Sequence, residues 1–121
     1  MGHKILIAED DTVLRDLYIR KFSRTDNDIR TAEDGQKTLD EIAKDPPDIL
    51  LLDINMPILD GGEVLAKLPP KGQRGFPVII LTNYGDLANR TRIEALGVDS
   101  FFIKKDMTIK SLVEMVEGLL R

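Results

Sequence analysis

Five short apolar segments, each followed by a stretch of helical spacing, set most of what this chain can fold into. Lys4 to Ala8, Asp48 to Asp53 and Pro77 to Thr82 carry near-continuous apolar runs. Such runs suit central parallel strands, which are covered on both faces. Asp28 to Ala32 alternates polar and apolar residues, as a half-exposed edge strand does, and Ser100 to Ile103 is a short fifth strand. Between them, Val13, Leu14, Leu17, Tyr18 and Phe22 recur at helical spacing over Thr12 to Phe22. Asp10 or Asp11 is placed to cap that helix. Asp34 opens a second helix carrying Leu39, Ile42 and Ala43, which Pro46-Pro47 stops. Val64, Leu65 and Leu68 mark a short third helix, ended by Pro69-Pro70. Asp86 to Leu96 reads as a fourth with a weak apolar face, closed by Gly97. Ile109, Leu112, Val113, Val116, Leu119 and Leu120 form the stripe of the last.

Alternation of this kind implies an α/β chain, a single doubly wound (βα)5 domain with helices on both faces of a five-stranded parallel sheet. Placing the alternating strand at the edge beside the first gives the order 2-1-3-4-5, the flavodoxin-like arrangement. At 121 residues the expectation is one domain spanning 1–121. The apolar runs are too short to cross a bilayer, and the start shows no secretory pattern. Cysteine is absent, which excludes disulfides, thiolate zinc sites and cysteine nucleophiles, and is compatible with the cytoplasm. A net charge of −4 and few aromatic residues argue against direct nucleic-acid binding. The one histidine, His3, precedes the first strand and reads as a flexible terminal residue, which argues against histidine catalysis.

In the order 2-1-3-4-5 the first and third strands are neighbours, and both end in acids: Glu9, Asp10 and Asp11 after one, Asp53 after the other. Ligands of such sheets bind beyond the carboxyl ends of the strands, where the winding reverses. Converging carboxylates repel, and one pKa rises unless a cation lies between them. A hard divalent ion ligated by oxygens, Mg²⁺ by preference, meets that need. Thr82 and Lys104 end strands four and five on the same side. A hydroxyl and an ammonium facing a metal site suit an anion, most simply a phosphoryl group.

These residues resemble the receiver domain of bacterial two-component response regulators. The resemblance covers the whole chain and rests on Ile7-Ala8-Glu9-Asp10-Asp11, Leu51-Leu52-Asp53-Ile54-Asn55-Met56-Pro57, Asp60-Gly61, Leu81-Thr82 and Phe102-Ile103-Lys104. It implies that Asp53 accepts a phosphoryl group from a sensor histidine kinase or histidine phosphotransfer protein. It implies Mg²⁺, or Mn²⁺ in its place, held by Glu9, Asp10, Asp53 and the backbone carbonyl of Asn55. Thr82 would hydrogen-bond the phosphoryl group, and Lys104 would pair first with Asp53 and then with that group. Phe101 matches the aromatic switch position, through which helix four, strand five and helix five would repack. The output would run through a protein target or an output domain, with no membrane partner and no separate metabolite turned over.

Three departures from the pattern stand out. Lys105 replaces a proline that usually follows a cis bond, so the Lys104–Lys105 bond is expected to be trans. Asn83 stands where a small residue is commonest and is expected to alter the lifetime of the phosphorylated state. Phe101 replaces tyrosine and has no hydroxyl.

Taken singly, each residue has an ordinary explanation: the acids as helix caps, Thr82 as a cap, Phe101 as core. Arg90, Arg92, Lys104 and Lys105 read as solvated. Their combination favours the phosphoryl site. A haloacid-dehalogenase-like phosphatase needs a second acid where Asn55 stands. A nucleotide or flavin binder needs a glycine-rich phosphate loop after the first strand, where acids stand instead. A degenerate receiver acting only as a scaffold is opposed by the complete set Glu9, Asp10, Asp53, Thr82 and Lys104.

Overall fold

The structure is a computed structural model that describes residues 2–83, 87–105 and 108–121. The strands are β1 (Lys4–Ala8), β2 (Asp28–Ala32), β3 (Ile49–Asp53), β4 (Val78–Thr82) and β5 (Ser100–Ile103). They form one parallel sheet in the order β2-β1-β3-β4-β5, as the alternation implied. The helices are α1 (Thr12–Phe22), α2 (Gly35–Lys44), α3 (Gly61–Lys67), α4 (Leu87–Leu96) and α5 (Ile109–Leu120). The expected start of the fourth helix at Asp86 lies outside the described residues.

Alternate residues of each strand feed two apolar layers. Leu6, Leu50, Leu52 and Ile80 pack with Ile42, Val64, Leu65 and Ile93 from α2, α3 and α4. Ile5, Ile7, Leu51, Ile79 and Phe102 pack with Tyr18 and Phe22 of α1 and with Leu112 and Val116 of α5. Every residue of β3 and β4 is buried. Removing so many apolar side chains from water, at about 1.5–3 kcal/mol each, is the main stabilising term.

Helix ends follow local chemistry. Asp11, not Asp10, caps α1, accepting from the N–H groups of Val13 and Leu14. This leaves the Asp10 carboxylate uncommitted to the helix. Asp34 caps α2 through Lys37 N–H, and Thr108 caps α5 through Ser111 N–H. At α3, Asp60 and Glu63 form a reciprocal capping box. Gly97 ends α4 with a φ of 85°.

Three expectations need correction. Val13 shares the helical spacing of α1 but is 77% exposed, because the first turn projects past the end of the sheet. Leu119 belongs to the stripe of α5 yet is also exposed, next to the last residue of the helix. His3 is not loose: its N–H donates to Asn27 Oδ1 and its carbonyl accepts from Asp28 N–H. No helix is long and apolar enough to cross a membrane among the described residues.

Candidate phosphoryl and metal site

Register brings the acids together. Ala8 is paired with Leu52, so the next residues, Glu9 and Asp53, leave the sheet side by side. Strand burial carries Glu9 inside with them: it is fully buried, and Asp53 is 3% exposed. Asp10, one step further along the chain, is exposed. One carboxylate oxygen from each of Glu9, Asp10 and Asp53 lies within 4.8 Å of the others.

Lys104, in the segment leaving β5, reaches across β4 into this cluster. Its side chain is 8% exposed, with Nζ 2.6 Å from Glu9 Oε1 and 2.9 Å from Asp53 Oδ2. Its own N–H donates to Thr82 carbonyl at 2.8 Å, which fixes the segment against β4. The Lys104–Lys105 bond is trans, as expected from the missing proline; there are no cis peptides among the described residues.

The remaining oxygens are held less firmly. Asp11 N–H donates to Glu9 Oε2, and Asn55 N–H to Asp53 Oδ1, both at 3.2 Å. Arg15 Nη1 donates to Glu9 carbonyl at 3.1 Å, tying α1 to the end of β1. The Lys104 ammonium touches Glu9 Oε1 off the hydrogen-bond direction, so this buried oxygen has a countercharge but no aligned donor. A buried, under-coordinated carboxylate oxygen beside two further carboxylates fits a hard cation.

The electrostatics follow. Two carboxylates share one ammonium, leaving an excess negative charge in a buried place. Burial, with Asp53 close by, pushes the Glu9 carboxyl up to about 7 despite Lys104. Burial opposes charge on Lys104, but its pairing with the Glu9 and Asp53 carboxylates outweighs that and raises it. Below the cluster, the Tyr18 phenol is buried with no hydrogen-bond partner, and burial together with the Glu9 and Asp53 charges raises it.

Thr82 is buried at the end of β4, and its hydroxyl donates to Asn83 carbonyl at 3.0 Å. That weak local bond is readily exchanged for another acceptor. Asn83 is exposed beside it. Gly61 packs its backbone on the other wall: a Cβ there would lie 2.5 Å from Asp53 carbonyl oxygen. Only glycine lets α3 start so close to the end of β3.

Phe101 is half-buried on β5, with the Arg90 guanidinium 4.6 Å over its ring. Arg92 lies 3.8 Å from Asp60 Oδ2, and its guanidinium fills the space a Cβ on Gly62 would need. These arginines therefore cement α4 to β5 and α3, where the sequence reads as a solvated face. Arg74 was also hidden in a polar loop. It is 7% exposed and donates to the carbonyls of Pro69, Leu96 and Gly97, capping the end of α4. No local pattern marks it, because its partners come from other segments.

Comparison with known proteins agrees with this geometry. The profile of the response regulator receiver domain matches residues 5–117. The response regulator MprA of Mycobacterium bovis is 34% identical over 121 residues, all of this chain and 52% of that protein. The chain thus spans about half the length of the curated relatives it matches. The receiver domain of the Francisella response regulator 1452 is 30% identical, with a TM-score of 0.86 over 98% of this chain and 97% of that one. A DNA-binding response regulator of the LuxR family from Staphylococcus aureus is 27% identical, with a TM-score of 0.89 over 98% and 99% of the two chains.

Proposed function

The chain belongs to the response regulator receiver domain family, and we propose that residues 1–121 form one receiver unit whose phosphoacceptor is Asp53. The observation that supports this most is the buried contact of Lys104 with both Asp53 and Glu9. It puts one nucleophilic carboxylate beside a cation that can follow charge onto a phosphoryl group. The donor is a phosphohistidine of a sensor kinase or phosphotransfer protein. His3 lies at the opposite end of β1 from Asp53 and cannot serve as an internal donor.

In the transfer, an Asp53 carboxylate oxygen attacks phosphorus in line with the leaving imidazole. The oxygen–phosphorus bond forms, and the phosphorus–nitrogen bond breaks. The imidazole keeps the electron pair and takes a proton from solvent. Lys104 shifts its pairing from Asp53 toward the phosphoryl oxygens. The Thr82 hydroxyl leaves Asn83 carbonyl and donates to the same group. Glu9, Asp10, Asp53 and the Asn55 carbonyl would hold Mg²⁺, or Mn²⁺ in its place. When bound, the ion supplies charge neutralisation between the carboxylates and the incoming phosphoryl group. The domain modifies itself and turns over no separate metabolite.

The message leaves through Phe101. Once Thr82 turns toward the site, the ring has room to move inward, and α4, β5 and α5 repack as a shifted two-state population. Their reader is a protein target or an output domain, not nucleic acid or a membrane directly. A cytoplasmic setting fits a phosphohistidine donor and is compatible with the absence of cysteine.

Intact mass after incubation with acetyl phosphate tests the assignment. One phosphoryl adduct is expected that requires both Mg²⁺ and Asp53. An adduct that persists in Asp53→Asn, or none in the unaltered chain with Mg²⁺, would overturn it.

A further inference from the structure

Among the buried side chains between the sheet and helices α1 and α5, Tyr18 alone bears an oxygen or nitrogen. It is fully buried, and its hydroxyl has no hydrogen-bond partner. Phe22, one turn further along α1, fills the same layer without a hydroxyl. Burying an O–H without a partner forfeits its bonds to water, so packing alone favours phenylalanine at position 18. Buried polar groups in folded proteins nearly always have a partner.

That partner follows from the pleat. Side chains two apart on a strand share a face. Ile5 and Ile7 face α1 and α5, and Glu9 is the next rung on their side. Its N–H still bonds to Ala32 carbonyl, so the register continues one residue past β1. Ile49 and Leu51 lead in the same way to Asp53, and Phe102 leads to Lys104. The acid cluster is therefore the upper end of the layer that holds Tyr18. Aromatic side chains on a helix lean toward its N-terminus, and α1 begins at Thr12, directly after the acids. Burial, then the charges of Glu9, Asp53 and Asp11, hold the phenol in its protonated form, which can donate. Three buried side-chain atoms lack a hydrogen-bond partner among the described residues. Two are the Tyr18 hydroxyl, a donor, and Glu9 Oε1, an acceptor. The third, Arg30 Nε, belongs to a guanidinium bonded to α2 and its end.

We propose that Tyr18 is a positioning residue for the metal site: its hydroxyl donates to the Glu9 carboxylate, across at most one water, and aims that carboxylate at a hard cation. The inference rests on the reading of Glu9, Asp10 and Asp53 as Mg²⁺ ligands. Lys104 follows charge onto a phosphoryl group, whereas Tyr18 stays with the packed layer. Glu9 thus keeps one fixed donor when the ammonium moves. Groups that hydrogen-bond a metal ligand from behind set its orientation, and losing one weakens metal binding about 10–100-fold.

The test is Tyr18→Phe, which deletes the hydroxyl and keeps the ring. The probe is Mg²⁺ alone, titrated into the full chain by calorimetry. The Kd for Mg²⁺ should rise about tenfold. In metal-free buffer the Tm should fall by about 3 °C. Phe22→Leu alters packing in the same layer with no oxygen to lose. Its Tm should fall as well, while its Mg²⁺ affinity holds. Unchanged Mg²⁺ affinity in Tyr18→Phe would overturn the inference. So would a raised Tm, the mark of a hydroxyl that was never paired. An equal loss of affinity in Phe22→Leu would also overturn it, since packing alone would then set the site. No uptake of Mg²⁺ by the unaltered chain would overturn the ligand assignment itself, a different result from any of these.

Discussion

The two ends of the sheet are built by different physics. Around β1 and β3 the strands are apolar on both faces, and burial carries Glu9, Asp53 and the Lys104 side chain inside with them. Around α4 the apolar contribution is thin: Ile93 is its one fully buried side chain among the described residues, with Leu96 and Val98 packed partly behind it. There arginines supply the adhesion, Arg90 over Phe101, Arg92 beside Asp60, and Arg74 on the last carbonyls of the helix. The difference teaches where a signal can go. Close-packed strands do not deform by small amounts, whereas the exposed contacts of Arg90 and Arg92 on α4 can be exchanged at a cost of about 1 kcal/mol each. The chemistry is thus set on the rigid half and read on the loose one.

Three substitutions sharpen this contrast. The largest effect is expected from Lys104→Ala, which strips from two buried carboxylates the one close cation among the described residues. Breaking a buried pair in this way costs about 3–5 kcal/mol, and chemical denaturation should show it. Added Mg²⁺ should return part of that loss, since it supplies the missing charge. A loss below about 1 kcal/mol would mean that the cluster is not held by this ammonium.

The next effect is a pH dependence. The folded-state value of Glu9, about 7, lies above its ordinary 4.5, so the folded chain binds an extra proton between those values. Stability from this group is therefore complete below about pH 4.5 and is lost as pH rises through about 7. In metal-free buffer this carboxyl should contribute a fall on the order of 2–3 kcal/mol between pH 5 and 8. Glu9→Gln should flatten that part of the curve, and denaturation at a series of pH values would measure it. An unchanged slope would show that Glu9 is ionised throughout.

The smallest belongs to the loose half. Arg90→Ala removes an exposed cation–π contact, and about 0.5 kcal/mol of stability should go with it. Arg90→Lys should recover part. The same change should leave Mg²⁺ affinity untouched, and titration calorimetry checks that. A shift in Mg²⁺ affinity would show that the two halves are coupled before any phosphorylation.

The rigid half was also the legible one. Ile49 to Asp53 announces a buried strand ending in an acid because a covered parallel strand needs an unbroken apolar run, and any residue just past it falls at the switch point. Glu9, Asp10, Thr82 and Lys104 were legible for the same reason: each ends a strand or lies within two residues of its end. What escaped depends on tertiary closure. Arg74 sits in a loop of lysine, glutamine and glycine, and only the end of α4 folding over it makes it a buried cap. Arg90 and Arg92 read as solvent-facing because helical spacing does not say what stands opposite. Val13 shared the spacing of a core position, but the sheet ends below it.

The most direct test of this division is amide hydrogen exchange with and without Mg²⁺ and beryllium fluoride, which mimics a phosphoryl group on the proposed acceptor Asp53. The account predicts that exchange changes concentrate in α4, β5 and the start of α5, while the central amides of β1 and β3 keep their protection. Changes spread evenly over the sheet, or confined to the residues touching Asp53, would contradict it.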